Sequence, residues 1–338
     1  MLKQKKLGLG DRMKLKKGDI IGYYSPSSPA TFFAPTRYER AKKFLENKGF
    51  KMLAGNLSGK SEGYRSGTIK ERSRELNELI CNPEVKCIMS TIGGMNSNSI
   101  LPFIDYEEIK KNPKIFIGYS DVTAILLGIY AKTGITTFYG PALVASFGEF
   151  SPLVDKTYEY FKDILIEKDK LPYILKTPDE YTDEFINWEE QNFSKNTYKN
   201  HLITVIEGKV QGRLIGGNLN TIYGIWGSEY MPEIKEGDIL FIEDSLKNAS
   251  EIERSFSFLK INGVFDKVSG IILGKHELFD SQNSGKKPYE ILLEVLDGKK
   301  IPFLAEFDCC HTHPMLTLPI GAEVELDSTN KKVTIVRI

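Results

Sequence analysis

Between Gly18 and about Gly148, short apolar runs alternate with segments of helical period, and this restricts that part of the chain to a parallel α/β sheet. The run Ile20–Tyr24 passes into the turn-rich Ser25-Pro26-Ser27-Ser28-Pro29. A helix follows with Tyr38, Ala41, Phe44 and Leu45 on one face and Gly49 as its stop. A second helix opens on the capping box Thr68-x-x-Glu71 and is predicted to bury Ile69, Leu76, Leu79 and Ile80. Strands over Val85–Thr91, Lys114–Gly118 and Ile135–Tyr139 then run into Gly93-Gly94, Ser120 and Gly140-Pro141. In such sheets the loops at the strand carboxyl ends build the site, so Ser25, Gly94 and Ser120 are expected on one rim.

Beyond Gly148 the pattern changes. A helix carrying Tyr158, Phe161 and Leu165 leads into a polar stretch with Tyr181, Phe185, Trp188 and Phe193, whose length and aromatic content predict a lid. Strands return at Val210–Ile215, Asp238–Ile242, Val268–Leu273 and Phe303–Phe307, and a hairpin pairs Glu323–Leu326 with Val333–Val336. A helix over Ile252–Ile261 is predicted to start from the box Ser250-x-x-Glu253. These elements read as a second, α+β domain with a partly barrel-like sheet. The 338 residues exceed what one core usually holds. The predicted division is a loose extension over 1–17, with Met13 as an alternative start, a nucleophile domain over 18–150, a linker and substrate loop over 151–204, and a C-terminal domain over 205–338.

Lysine plus arginine equals aspartate plus glutamate, 45 each, so no net field favours a nucleic-acid polymer or an anionic membrane. No apolar run approaches the roughly 20 residues that span a bilayer, and the basic N-terminus lacks the apolar core of a secretory signal. A cytoplasmic protein is expected, with Cys81, Cys87, Cys309 and Cys310 as reduced thiols.

Ser120 falls where an apolar strand stops at Gly118 and a helix with Val122, Ile125, Leu126 and Ile129 on one face begins. A helix N-terminus offers unpaired N–H groups to a developing oxyanion, although a serine there also serves as an ordinary cap. Glu243 ends the strand Ile239-Leu240-Phe241-Ile242 and is followed by Asp244; the pair reads either as an orienting acid or as a solvated turn. His311 follows the last strand and can accept a serine proton near neutral pH. The order Ser120, Glu243, His311 supplies nucleophile, acid and base. A metal site from Cys309, His311 and His313 competes with it, yet lacks a fourth ligand in the sequence. His201 and His276 are isolated. Gly93-Gly94 has neither the Lys-Ser/Thr successor nor the spacing of a phosphate loop, and suits close approach of backbone to a ligand.

Five segments together resemble the serine carboxypeptidase family that contains the LD-carboxypeptidases of murein recycling and the microcin C immunity peptidases. They are Ser90-Thr91-Ile92-Gly93-Gly94-Met95-Asn96-Ser97-Asn98, Gly118-Tyr119-Ser120-Asp121, Gly216-Gly217-Asn218-Leu219-Asn220, Phe241-Ile242-Glu243-Asp244, and His311-Thr312-x-Pro314 leading to Leu318-Pro319-Ile320-Gly321. The resemblance implies an N-terminal flavodoxin-like α/β domain and a smaller C-terminal α+β domain, with the site between them, in a homodimer. It implies Ser120 as nucleophile, Glu243 as acid, His311 as base, and the N–H groups of Gly94 and Asp121 as oxyanion donors, with no cofactor and no metal. The chain departs from the pattern in its two cysteines before His311, where a small residue such as glycine is expected.

The immunity type looks closer, through Asn96-Ser97-Asn98 and the long segment with Asp183-Glu184 and Asn187-Trp188-Glu189-Glu190. In that type an aromatic side chain on this loop stacks on the substrate's base. Trp188 is the candidate and Tyr181 the second, while Trp188 as a simple loop anchor stays open. Asn220, Lys247 and Glu277 are expected substrate contacts. The implied substrate is a small peptide or a peptidyl or aminoacyl nucleotide, cleaved at an amide near its carboxyl end. A murein tetrapeptide losing its terminal D-residue is the alternative. A metal-dependent hydrolase and a non-catalytic two-lobed binding protein are the rivals from other classes.

Overall fold

The computed structural model describes residues 14–167 and 171–338, so most of the expected extension, including Met13, lies outside the described residues. Leu15, placed in that extension by sequence, is buried, and its N–H donates to the carbonyl of Leu165 at 2.7 Å. An apolar side chain with a fixed backbone partner belongs to the fold.

The first sheet holds Ile20–Tyr24, Lys51–Ala54, Val85–Ser90, Ile115–Gly118 and Thr137–Tyr139, all paired in parallel. Lys86 apart, its central strands Val85–Ser90 and Ile115–Gly118 are buried along their length without alternation, as suits a parallel sheet covered on both faces. The helix Pro35–Asn47 begins with proline at its first turn, and Ile69–Cys81 is capped by the Thr68–Glu71 box read from the sequence. Ile69 itself remains half-buried.

A sixth strand, Leu318–Ile320, joins this sheet antiparallel to Thr137–Tyr139. The sequence places it beyond the predicted boundary at 204, where Pro319 reads as a turn. Its edge position explains the proline, since an edge strand can leave one N–H unmade.

The second sheet runs, in spatial order, Tyr173–Ile174, Lys332–Arg337, Glu323–Asp327, Lys209–Asn218, Ile239–Glu243, Gly270–Gly274, Phe303–Phe307 and Ile203–Ile206. It is parallel at its centre, antiparallel at its ends, and curled into a half-barrel. The helix Ala249–Ile261 starts from Asn248, not Ser250. Asn248 Oδ1 accepts from Glu251 N at 3.0 Å and Glu251 caps in return, so the box lies two residues earlier than predicted.

The helix Thr123–Thr133 also differs from its one-faced reading. Every residue from Thr123 to Ile129 is buried, because the helix is wedged between the first sheet and the strand Lys209–Asn218 with the short helix that follows it. Gly134 ends it at φ +72°. No helix among the described residues is long and apolar enough to cross a membrane.

Candidate active site

Ser120 lies two residues past the strand Ile115–Gly118, at φ +60°, a left-handed conformation that costs a non-glycine residue strain. One tight turn, Ser120–Val122, separates it from the helix at Thr123, so the serine stands on a sharp elbow and not at an ordinary helix cap. Its hydroxyl caps nothing and points to His311 Nε2 at 3.0 Å. A Cβ at Gly118 would lie 2.4 Å from Ser90 Oγ, and one at Gly93 would lie 2.9 Å from Ser120 Cβ. Both glycines therefore permit the close packing that raises the serine.

His311 is delivered by the loop after Phe303–Phe307, and its Nδ1 meets Glu243 Oε2 at 2.7 Å. Glu243 is the last residue of Ile239–Glu243 and is fully buried, so the solvated-turn alternative does not apply. Burial opposes its charge, but the imidazole, Tyr139 and Asn218 outweigh that and hold the carboxyl below its ordinary value. Burial likewise opposes protonation of His311, yet the Glu243 carboxylate, with Glu277 and Asp244 nearby, pushes the imidazole up to about 9.

Glu243 Oε1 accepts from Asn218 Nδ2 at 3.0 Å and from the Tyr139 hydroxyl at 2.5 Å. The same hydroxyl accepts the N–H of Ser120 at 3.0 Å. The sequence reading did not single out Tyr139 or Asn218, although Tyr139 ends a strand and Asn218 lies within a quoted motif.

The N–H groups of Gly94 and Asp121 find no acceptor among the described residues. Asp121 instead uses its carboxylate, which accepts from Asn96 N and Ser97 N at 3.0 and 2.9 Å and fixes the loop that carries Gly94. Gly94 sits at φ +143°, and a Cβ there would lie 2.2 Å from Ser27 Oγ. Arg72, buried and also missed by sequence, ties Pro26 O and Asn96 Oδ1 together from below. Ser25, expected on this rim, turns inward to Thr91 Oγ1 and Glu75, and Ser28 reaches the cleft in its place.

These groups open on a cleft of about 430 Å³ that Trp188, Asn220, Lys247 and Glu277 also line. Asn220 N donates to Asp244, and burial holds the Glu277 carboxyl above its ordinary range. Trp188 is half-buried, lies 4.6 Å from the Arg37 guanidinium, and has its ring 6.0 Å from that of Phe33, so it also anchors its loop. Glu189 strengthens the anchor by accepting from Thr36 N and Arg37 N at the start of a helix. Tyr181 stays outside the cleft and faces Tyr198.

The metal alternative fails on geometry. Both ring nitrogens of His311 are engaged, Cys309 Sγ faces the carbonyls of Tyr139 and Leu316, and His313 Nε2 faces Glu149 at 3.8 Å. No group of three His, Cys, Asp or Glu among the described residues could hold an ion. The buried side chains of Cys309 and Cys310 fill the space where a small residue was expected, and burial pushes the Cys310 thiol up to about 12. His201 is exposed, and burial pulls His276 down to about 4.

Models of the LD-carboxypeptidase N-terminal and C-terminal domains match residues 21–140 and 211–326. The microcin C7 self-immunity protein MccF of Escherichia coli is 61% identical over 323 residues, covering 95% of this chain and 94% of that protein. A solved structure of MccF in complex with aspartyl sulfamoyl adenosine superposes with a TM-score of 0.94 at 60% identity, covering 96% of this chain and 98% of that one. A crystal structure of an MccF-like protein from Bacillus anthracis gives 0.86 at 32% identity, covering 96% and 99%.

Proposed function

The chain belongs to the LD-carboxypeptidase family and is a serine-type carboxypeptidase, and from that premise we propose that it detoxifies aminoacyl or peptidyl nucleotides by hydrolysing their amide bond. The observation that carries this reading is the line Ser120 Oγ, His311 Nε2, His311 Nδ1, Glu243 Oε2, with contacts of 3.0 and 2.7 Å, in a chain so similar to an immunity protein.

In the proposed reaction His311 takes the Ser120 proton as the oxygen attacks the carbonyl carbon. The oxyanion lies against the N–H groups of Gly94 and Asp121; one such donor is typically worth ~10²–10³ in rate. His311 then gives its proton to the leaving amine. Water, deprotonated by the same imidazole, releases the acyl group and restores the serine. Glu243 keeps the imidazole in the tautomer whose Nε2 lone pair faces the hydroxyl, and balances its charge when protonated.

The cleft supports the substrate half of the reading. Lys247 offers a cation to an anionic linker, Asn220 an amide beside it, and Glu277 a carboxyl to a free amine. Trp188 presents an aromatic face on which a base can stack. We further propose a cytoplasmic, homodimeric enzyme that needs no metal.

The deciding experiment compares an aminoacyl sulfamoyl adenosine with a murein tetrapeptide as substrates of the purified protein. Cleavage of the nucleotide is expected. Cleavage of the tetrapeptide alone would overturn the immunity reading in favour of murein recycling.

A further inference from the structure

We propose that Tyr139 is a positioning residue of the reaction, its hydroxyl locking the Ser120 backbone to the Glu243 carboxylate so that acid, base and nucleophile form one closed hydrogen-bonded circuit. The inference rests on the Ser120–His311–Glu243 reading above.

The circuit starts at the N–H of Ser120, which donates to the Tyr139 hydroxyl at 3.0 Å. That hydroxyl donates to Glu243 Oε1 at 2.5 Å, Glu243 Oε2 accepts from His311 Nδ1 at 2.7 Å, and His311 Nε2 returns to Ser120 Oγ at 3.0 Å. Two consequences follow from the chemistry of the hydroxyl. A phenol has one proton, so while it donates to Glu243 it can only accept from Ser120, and both bonds are directed. The Ser120 N–H is therefore committed, which leaves the next N–H, that of Asp121, to face an oxyanion.

The placement is rigid. Tyr139 pairs with Gly118 at the end of the adjacent strand, is fully buried, and packs its ring edge-on against Phe241 at 5.2 Å and Tyr119 at 6.4 Å. Burial and the Glu243 charge keep its proton in place well beyond any working pH. The serine's strained φ of +60° persists only if its surroundings fix it, and this bond is the one its N–H makes.

The test is Tyr139→Phe, which keeps the ring and removes the hydroxyl. Loss of a bond to a charged acceptor is expected to lower kcat about 10- to 100-fold with KM within about threefold. A carboxylate that loses this donor holds the His311 proton more tightly, so the acid limb of the kcat/KM profile should move to higher pH. An unchanged rate, or a lower rate with an unmoved limb, overturns the proposal. Should Tyr139→Phe not fold, 3-fluorotyrosine at 139 keeps the shape and donates more strongly. The limb should then move to lower pH, and an unmoved limb is again decisive against the idea. Ser120→Ala and His311→Ala are assayed alongside. If both retain turnover, the underlying mechanism fails; if both are dead while Tyr139→Phe is normal, only the role of Tyr139 does.

Discussion

The hydroxyl of Ser120 and the imidazole of His311 meet at 3.0 Å although 191 positions separate them in the chain. Ser120→Ala should therefore leave the fold intact, since alanine occupies the same backbone with little loss of packing, while turnover falls by at least about 10⁴-fold. Circular dichroism and a rate assay check both halves. Turnover within tenfold of wild type would remove the serine from the mechanism.

Under the proposed mechanism, the His311–Glu243 pair should make stability and rate respond oppositely to pH. The folded imidazole is raised from 6.5 to about 9, so its contribution to stability is complete below 6.5 and is lost as pH rises through about 9. Glu243 is lowered from 4.5, so its contribution is present above 4.5 and is lost as pH falls through its folded value. The pair stabilises most between those two ordinary values. As the proposed base, however, His311 must be unprotonated, so kcat/KM should climb as pH rises towards about 9. Melting temperatures and a pH–rate profile on the same samples would show the divergence. A rate that is flat from pH 6 to 9 would contradict it.

Gly93→Ala places a methyl 2.9 Å from Ser120 Cβ and 3.0 Å from the Asp121 nitrogen. Backbone must move, and the Asp121 N–H, the proposed oxyanion donor, moves with it. The expected result is a fall in kcat of ~10²–10³, comparable to losing one donor, with stability lowered by about 1–3 kcal/mol. Normal kcat in a folded variant would relieve Asp121 of the proposed donor role.

Trp188→Ala should raise KM for a nucleotide substrate roughly 5- to 150-fold, the equivalent of ~1–3 kcal/mol of stacking on a base. A tetrapeptide without a base should be affected much less. Equal losses on both would mean that Trp188 acts through its packing on Arg37 and Phe33.

Much of this was legible in the residues. The strand and helix alternation to Gly148, the Thr68–Glu71 box and the family resemblance, with its lean to the immunity type, agree with the fold and with the similarities found. What escaped has physical causes. Gly118 marks the turn at Ser120 in the sequence, but the serine's left-handed backbone goes with close packing on Gly93 and a bond to Tyr139, both distant along the chain, so the strain itself has no local signal. Leu318–Ile320 contains a proline that ordinarily argues against a strand, and only its edge position excuses it. Asn248 and Ser250 are equally good caps in isolation, and the choice falls to tertiary context. Tyr139 looks like any aromatic at a strand end until Glu243 arrives from the other sheet.

The strand Leu318–Ile320 has a bearing on biosynthesis. It enters the first sheet from far along the chain, seven residues after His311, whose imidazole faces the Ser120 hydroxyl. Because synthesis runs from the N-terminus, Ser120 emerges well before Glu243 and His311, so under the proposed mechanism a chain stopped short of residue 311 is expected to leave amides uncut. On that mechanism the site's second wall is in place only once Leu318–Ile320 has paired beside Thr137–Tyr139, which ties the onset of turnover to the closing of the first sheet's edge.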